Sequence, residues 1–300
     1  MTKEFLVLTA PPGAGVLTAD LVSRIDDILE DAASSNVLGD AEAVEFGLSE
    51  TNETSKQDIE NVVRKCLAGA PVDINFVAAA ERRKQLLVAD MESTIIEQEC
   101  LDELAVEFGA QEKMMDITAR AMRGEMDFEP ALRERVAMLT GLPVSALQTL
   151  YDNHISLMPG AATLLATLNA NATPCGLVSG GFRFFAEKIA NRLGFDRFQS
   201  NDLGITDNKL DGSIPDPILG CAAKANIMLD WCNQLGISPT QVLAVGDGSN
   251  DLAMLEAAGM GVAFHAKPAV AAAAKFTVEH GDLTALLYLQ GYAKSEFVEG

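Results

Sequence analysis

The sequence predicts an α/β protein with a parallel sheet and an inserted helical cap, preceded by a small α+β unit. Short apolar runs typical of buried parallel strands occur at residues 86–89, 176–178, 242–245 and 261–263. The first two runs are separated by an almost wholly helical stretch, residues 95–153, which is too long for a single crossover connection. We therefore predict that this stretch is an insertion that covers the sheet.

The first 82 residues show a different pattern. An apolar run typical of a strand occurs at residues 5–9, and apolar residues alternate as in half-buried strands at residues 43–48 and 72–77. Helical spacing occurs at residues 18–33 and 54–67. This order predicts a small α+β sandwich. The charged run at residues 81–84 is interpreted as a solvated linker or the start of the following strand.

Length and charge narrow the class further. A chain of 300 residues favours two domains, which we place at residues 1–82 and 83–300, with the cap at about residues 95–155 of the second. The net charge of −21 argues against nucleic-acid and membrane partners, and any phosphate site must therefore be built locally. No apolar run reaches the ~18 residues of a spanning helix. Because the N-terminus also lacks a signal-peptide pattern, we expect a cytoplasmic protein.

Cysteine and histidine chemistry has little support in this sequence. The five cysteines are scattered without a C-x-x-C pair, and the three histidines do not cluster. A disulfide framework, a zinc site and a Ser-His-Asp triad are therefore disfavoured.

Asp90 and Glu92 directly follow the apolar run at residues 86–89. They are predicted to lie at the carboxyl end of a buried strand, where ligands bind in open parallel sheets. A carboxylate there can be a nucleophile, a metal ligand or a proton carrier. An alternative is an ordinary helix N-terminus capped by Ser93 or Thr94.

Three further motifs follow, each close to a predicted strand end or helix start. They are Ser179-Gly180-Gly181, Lys224 and Asp247-Gly248-Ser249-Asn250-Asp251. Such groups suit phosphoryl transfer, in which one carboxylate attacks phosphorus, another moves protons and oxygen ligands hold a divalent cation. Hydroxyl, amide and ammonium groups would complete the phosphate site. Each motif is weak alone, but the four in this order predict phosphoryl chemistry.

With these motifs, residues 86–288 resemble the haloacid dehalogenase superfamily, and within it the phosphoserine phosphatases. The similarity extends to residues 96–105 and 128–136, and to Met158-Pro159-Gly160 and Ala266-Lys267-Pro268. It implies a Rossmann-like core with a helical cap. Residues 1–82 are similar to the ACT-like domains that precede some bacterial members, although one expected strand is not recognised in the pattern. Such a domain would be regulatory or would mediate homodimerisation.

The resemblance implies a role for each matching residue of the phosphoryl site. Asp90 would be the nucleophile and a Mg²⁺ ligand, and Glu92 would be the acid/base group and offer its backbone carbonyl to the metal. Asp247 would be the metal's other protein carboxylate. The phosphoryl group would be held by Ser179, Gly180 and Lys224, while Asn250, on the substrate side, and Asp251 would support Lys224 and the metal shell.

The resemblance also implies the substrate, O-phospho-L-serine, hydrolysed to serine and phosphate as the last step of serine biosynthesis. Glu99 would receive its ammonium group and Arg135 its carboxylate, while Met122 and Phe128 would shape the cap side of the pocket. Two alternatives stay open. One is a phosphotransferase that passes the phosphoryl group to an alcohol such as homoserine, and the other is an amino-acid-sensing protein with weakened turnover.

Glu92 departs from the family pattern, which usually has Asp at this position. Intrinsic acidity changes little, since the usual pKa is about 3.9 for Asp and 4.3 for Glu, but the side chain is one methylene longer. A displacement near 1 Å can lower a rate on the order of a hundredfold. The replacement of Asp by Glu has three interpretations: an enzyme with a refitted pocket, a slower enzyme with a longer-lived aspartyl-phosphate, or an inactive relative.

Overall fold

The computed structural model describes residues 2–29, 32–49, 55–107, 109–122 and 125–300. The first unit contains, in chain order, β1 (Thr2–Thr9), α1 (Ala19–Ile28), β2 (Ala32–Gly39), β3 (Ala43–Ser49), α2 (Lys56–Leu67) and β4 (Asp73–Ala78). Its four strands form an antiparallel sheet in the order β2-β3-β1-β4. This βαββαβ order with antiparallel pairing is that of the split βαβ motif.

The helices of this unit begin at hydroxyl caps and bury one face against the sheet. Thr18 accepts a hydrogen bond from the Leu21 amide at 3.3 Å, which fixes the start of α1. Ser55 accepts one from the Asp58 amide at 3.2 Å and starts α2 in the same way.

The predicted helix at residues 18–33 is too long. It ends at Ile28, and the strand missing from the sequence pattern, β2, begins at Ala32. The sequence of β2, Ala-Ala-Ser-Ser-Asn-Val-Leu-Gly, has few apolar residues and no clear alternation. This segment is therefore a strand because it pairs with β3, and not because of its own pattern of apolar residues.

The second unit is built on a six-stranded sheet. Up to its second strand it contains β5 (Leu86–Ala89), α3 (Cys100–Glu107), α4 (Gln111–Met122), α5 (Phe128–Ala137), α6 (Val144–His154), α7 (Ala161–Ala170) and β6 (Cys175–Phe182). It continues with α8 (Arg183–Leu193), β7 (Arg197–Asn201), β8 (Ile205–Thr206), β9 (Lys209–Leu210), α9 (Cys221–Leu235), β10 (Val242–Gly246), α10 (Leu252–Ala257), β11 (Met260–Phe264), α11 (Pro268–Ala273), β12 (Phe276–Val278) and α12 (Ala285–Leu289).

The predicted parallel sheet is confirmed. Its order is β12-β11-β10-β5-β6-β7, and every pair is parallel. The central strand β5 is buried along its whole length, which explains its continuous apolar run. Helices α3 to α6 form the predicted inserted cap, and β8 with β9 form the hairpin between β7 and α9.

Edge strands β4 and β12 of the two sheets are joined by side-chain hydrogen bonds. The Asn75 amide donates to the Thr277 carbonyl at 2.8 Å and accepts from the Thr277 amide at 3.0 Å. The buried Asp73 carboxylate accepts from the three backbone amides of residues 279–281, at 2.8, 3.1 and 2.9 Å. These bonds fix the first unit against the second.

The interpretation of residues 81–84 as a solvated linker is wrong for Arg82. Its side chain is only 9% exposed and pairs with Glu45 of β3. The guanidinium also donates to the carbonyls of Leu289 and Tyr288, at 2.8 and 3.1 Å. The run of charged residues in the sequence gives no sign that a partner distant in the chain covers Arg82.

None of the described helices has both the length and the apolar character needed to cross a bilayer.

Candidate active site

Three neighbouring strands bring several of the residues predicted to carry phosphoryl chemistry to one edge of the sheet. Strand β5 lies between β10 and β6, and all three are parallel. Asp90 directly follows β5, Asp247 directly follows β10, and Ser179 with Gly180 lies in the last part of β6. The pairing of β6 with β7 is irregular between Val178 and Phe182, so the backbone departs from regular strand geometry at these residues.

Asp90 belongs to a buried network of charges. Its Oδ1 atom lies 2.8 Å from Lys224 Nζ and accepts from the Met91 amide at 2.7 Å. Lys224 Nζ also donates to Asp251 Oδ1 at 2.6 Å, and both of these side chains are almost completely buried. Burial raises the pKa of Asp90 well above its usual range, and Asp251 adds to this effect while Lys224 opposes it.

Asp90, Asp247 and Asp251 form the carboxylate cluster that could hold a metal. One oxygen from each lies within 4.8 Å of the others. Asp251 is already engaged, because Lys224 binds its Oδ1 and the Gly248 amide donates to its Oδ2 at 3.0 Å. Burial raises the pKa of Asp247 to about 6, with a contribution from Asp251. Hard oxygen donors that repel each other suit a divalent cation, and Asp90 and Asp247 are the two best placed to bind one.

Glu92 lies at the start of the inserted helical cap. The alternative of a helix N-terminus capped by Ser93 or Thr94 is wrong, because the next helix, α3, begins at Cys100. Its Oε1 accepts a hydrogen bond at 2.9 Å from the amide of Cys100, the first residue of α3. Burial, and then the nearby Glu99 charge, raise the pKa of Glu92 to about 7. Both protonation states are therefore accessible near neutral pH, as general acid and base chemistry requires.

Gly181 provides the space for the longer side chain of Glu92. A Cβ atom at Gly181 would lie 2.7 Å from Glu92 Oε2, so the Glu92 carboxylate would have to shift to admit a side chain there. The second glycine of the Ser-Gly-Gly motif thus lies against the Glu92 carboxylate, and this contact between distant residues has no signal in the sequence.

A cavity of about 410 Å³ separates the sheet edge from the cap. The predicted site residues on its walls are Asp90, Glu92, Glu99, Phe128, Arg135, Gly180, Asp247 and Asn250. Ser179, Lys224 and Asp251 are buried close behind it, and the Ser179 hydroxyl accepts from the Gly181 amide at 2.9 Å. Met122 ends α4, but its side chain lies outside the described part of the structure.

The predicted charges of the cap face this cavity. Glu99 is exposed and accepts from the Ser93 hydroxyl at 2.8 Å. Arg135 Nη2 donates to Asp102 at 2.7 Å, and its Nε lies 3.2 Å from Met114 Sδ. The cavity therefore has an anion and a guanidinium on its cap side and carboxylates on its sheet side.

The sequence interpretation gave no role to four polar residues of the cavity wall: Asp102, Thr118, Ser249 and Lys267. Asp102 comes three residues after Glu99, a spacing that could have placed both near one helix face. Lys267 lies in the Ala266-Lys267-Pro268 motif, which was recognised without a role. Thr118 has no such signal.

The chain is similar to known hydrolases over most of its length. The family model for haloacid dehalogenase-like hydrolases matches residues 15–259. Phosphoserine phosphatase SerB2 of Mycobacterium tuberculosis is 41% identical over 75% of this chain, but the chain spans only 55% of that relative. A phosphoserine phosphatase of a Polaromonas species is 43% identical, over 68% of this chain and 89% of its own length.

A solved structure extends the similarity to the whole fold. The unliganded crystal structure of a probable phosphoserine phosphatase from Vibrio cholerae superposes with a TM-score of 0.76 at 29% identity. The match covers 98% of this chain and 88% of that one. Together with the parallel sheet, the inserted cap and the aspartates at the strand ends, these matches show that the chain belongs to the haloacid dehalogenase-like hydrolases and is related there to the phosphoserine phosphatases.

Proposed function

We propose that this chain hydrolyses O-phospho-L-serine to L-serine and phosphate, with Mg²⁺ and through an aspartyl-phosphate. The observation that carries the proposal is that Asp90, Glu92, Glu99 and Arg135 line the same cavity. The substrate has a phosphoryl group, an ammonium and a carboxylate, and this cavity offers complementary groups for all three.

The chemistry follows from the hydrogen bonds of Asp90. Lys224 and the Met91 amide occupy Oδ1, so Oδ2 is the oxygen that we propose attacks phosphorus. The bond from Oδ2 to phosphorus forms while the bond from phosphorus to the serine oxygen breaks, and that oxygen takes its proton from Glu92. Water then attacks phosphorus, gives its proton to Glu92 and releases Asp90.

The surrounding groups hold the transferred phosphoryl. We assign this role to Ser179, Gly180 and Lys224, with Asn250 beside them and Asp251 fixing the Lys224 ammonium. Mg²⁺ held by Asp90, Asp247 and the Glu92 carbonyl would neutralise phosphoryl charge.

The cap selects the amino acid. We assign Glu99 to the substrate ammonium and Arg135 to its carboxylate, with Phe128 and Met122 shaping the apolar part of the pocket. Arg135 is held by Asp102 at 2.7 Å, which fixes the guanidinium before the substrate arrives.

A panel of phosphomonoesters tests the proposed activity. We expect phosphate release with Mg²⁺ to be fastest for L-phosphoserine, slower for phosphothreonine and slowest for phosphoethanolamine, which lacks the carboxylate. Chelation should abolish release, and added Mg²⁺ should restore it. Equal amounts of serine and phosphate, unchanged when homoserine is added, distinguish hydrolysis from phosphoryl transfer to an alcohol. If Mg²⁺ does not support phosphate release from phosphoserine, the proposal is wrong.

The proton-transfer role of Glu92 gives a separate prediction. Glu92→Gln cannot carry the proton, so kcat should fall by about 10²- to 10⁴-fold, whereas Glu92→Asp should keep more activity than the Gln variant. Glu97→Gln is the matched control, because Glu97 is an exposed glutamate outside the cavity. A Glu92→Gln enzyme as fast as wild type would exclude the assignment.

A further inference from the structure

Lys267 is a cation of the cavity wall that the proposed chemistry does not use. Its side chain is exposed, and no ion pair joins it to another described residue. The other cation among the described wall residues is Arg135, which is already paired with Asp102. Lys267 therefore offers an exposed ammonium group outside any described ion pair, close enough to Asp247 to lower the pKa of that carboxyl.

The loop that carries Lys267 is held in place at both ends. The Lys267 amide donates to the carbonyl of Asp247 at 3.3 Å. His265 stacks on Phe264 with 4.0 Å between the ring centroids, and its Nε2 lies 2.8 Å from the Gly281 carbonyl. The fixed backbone keeps the base of the lysine side chain beside the sheet edge where phosphate chemistry is proposed.

The electrostatics of the site create a need for such a cation. The whole chain has a net charge of −21, and five carboxylates line the cavity: Asp90, Glu92, Glu99, Asp102 and Asp247. A phosphomonoester dianion is repelled by this field, and an exposed cation at the cavity can offset the repulsion and raise the association rate. Lys224 cannot do this, since it is buried between Asp90 and Asp251.

We propose that Lys267 steers phosphate dianions into the cavity and contacts the phosphoryl group of the bound ligand. The class of ligand is any phosphomonoester dianion or inorganic phosphate, and the role of the residue in turnover rests on the proposed function. Lys267 would act on binding of the phosphate, and not on the proton transfers assigned to Glu92.

Two variants of Lys267 and one control variant test this role. Lys267→Gln removes the charge, Lys267→Arg keeps it, and Lys275→Gln removes an exposed lysine from beyond the other end of α11. Calorimetric titration of each full-length protein with inorganic phosphate in Mg²⁺ measures the contact without depending on the substrate. We expect Lys267→Gln to weaken phosphate binding about tenfold, in the range of a hydrogen bond to a charged group, and the other two variants to stay within about threefold of wild type.

Ionic strength provides the readout for steering. For wild type, kcat/KM should change with added salt, because salt screens exposed charges. Salt should weaken the attraction between the phosphate dianion and the cation at position 267 in wild type and in Lys267→Arg, but not in Lys267→Gln, where this attraction is already absent. Between the variants, KM should change far more than kcat. Unchanged phosphate binding in Lys267→Gln, an Arg variant as weak as the Gln variant, or an equal loss in Lys275→Gln would each overturn the proposal. A wild type that binds phosphate through Lys267 but leaves phosphoserine intact would instead refute only the proposed function.

Discussion

Asp90→Asn is expected to abolish phosphate release from phosphoserine, with a loss on the order of 10⁴-fold or more, as for the removal of nucleophiles in other enzymes. An amide oxygen cannot form the aspartyl-phosphate, and Glu92, the next carboxylate after β5, is assigned to proton transfer. Steady-state phosphate release in Mg²⁺ measures the loss. A variant that keeps a tenth of wild-type activity would show that Asp90 is not the nucleophile.

The loss in Asp90→Asn should occur in a folded protein. Burial and Asp251 disfavour the charged form of Asp90 and raise its pKa, so a neutral amide relieves repulsion while its oxygen can still accept from Lys224 and Met91. In chelator, thermal unfolding should therefore occur at or above the wild-type temperature. Asp230→Asn, at an exposed position on α9, is the matched control for both measurements and should resemble wild type.

Lys224→Met is expected to lower the free energy of unfolding by about 3–5 kcal/mol, the usual cost of removing one partner from a buried ion pair. Burial alone would lower the pKa of Lys224, but Asp90 and Asp251 together raise it, so the ammonium stays charged between them. Methionine fills a similar volume but leaves two buried carboxylates without their cation. Phosphate release should also be lost, because Lys224 is assigned to the phosphoryl group.

The pH dependence of Lys224→Met distinguishes unpaired charge from poor packing. Asp90 has a raised pKa in the folded protein, and losing the cation should raise it further. The destabilisation should therefore be largest above this pKa and shrink as the pH falls and Asp90 becomes protonated. Denaturant unfolding at pH 8 and pH 5 measures this, with Lys65→Met, at an exposed position of α2, as control. An equal loss at both pH values would contradict the electrostatic explanation.

The residues that sequence could place are those whose position follows from strand order. Asp90, Ser179 and Asp247 come at the ends of recognisable apolar runs, and neighbouring parallel strands necessarily bring their ends together. The family motifs extended this to Glu99 and Arg135 of the cap. The cavity between cap and sheet is lined by Asp90 and Asp247 as well as by Glu99 and Arg135.

The residues that sequence could not place depend on contacts between distant segments. The contact of Gly181 with Glu92 joins two distant segments, and Arg82 is buried where Glu45, α12 and the Phe5 ring cover it. Strand β2 was missed because its pairing with β3, and not its own composition, makes it a strand. The spacing of apolar residues describes one segment of the chain at a time, whereas each of these features depends on a contact between two segments.

The bonds of Asn75 to Thr277 have a consequence for aggregation. An outermost strand presents unpaired amides and carbonyls that can template growth by another chain. The Asn75 side chain takes both backbone groups of Thr277, as a neighbouring peptide would, and β4 and β12 shield each other without merging into one continuous sheet. Removing the first unit would expose the edge strand β12 of the parallel sheet, so we expect the second unit alone to aggregate more readily than the whole chain.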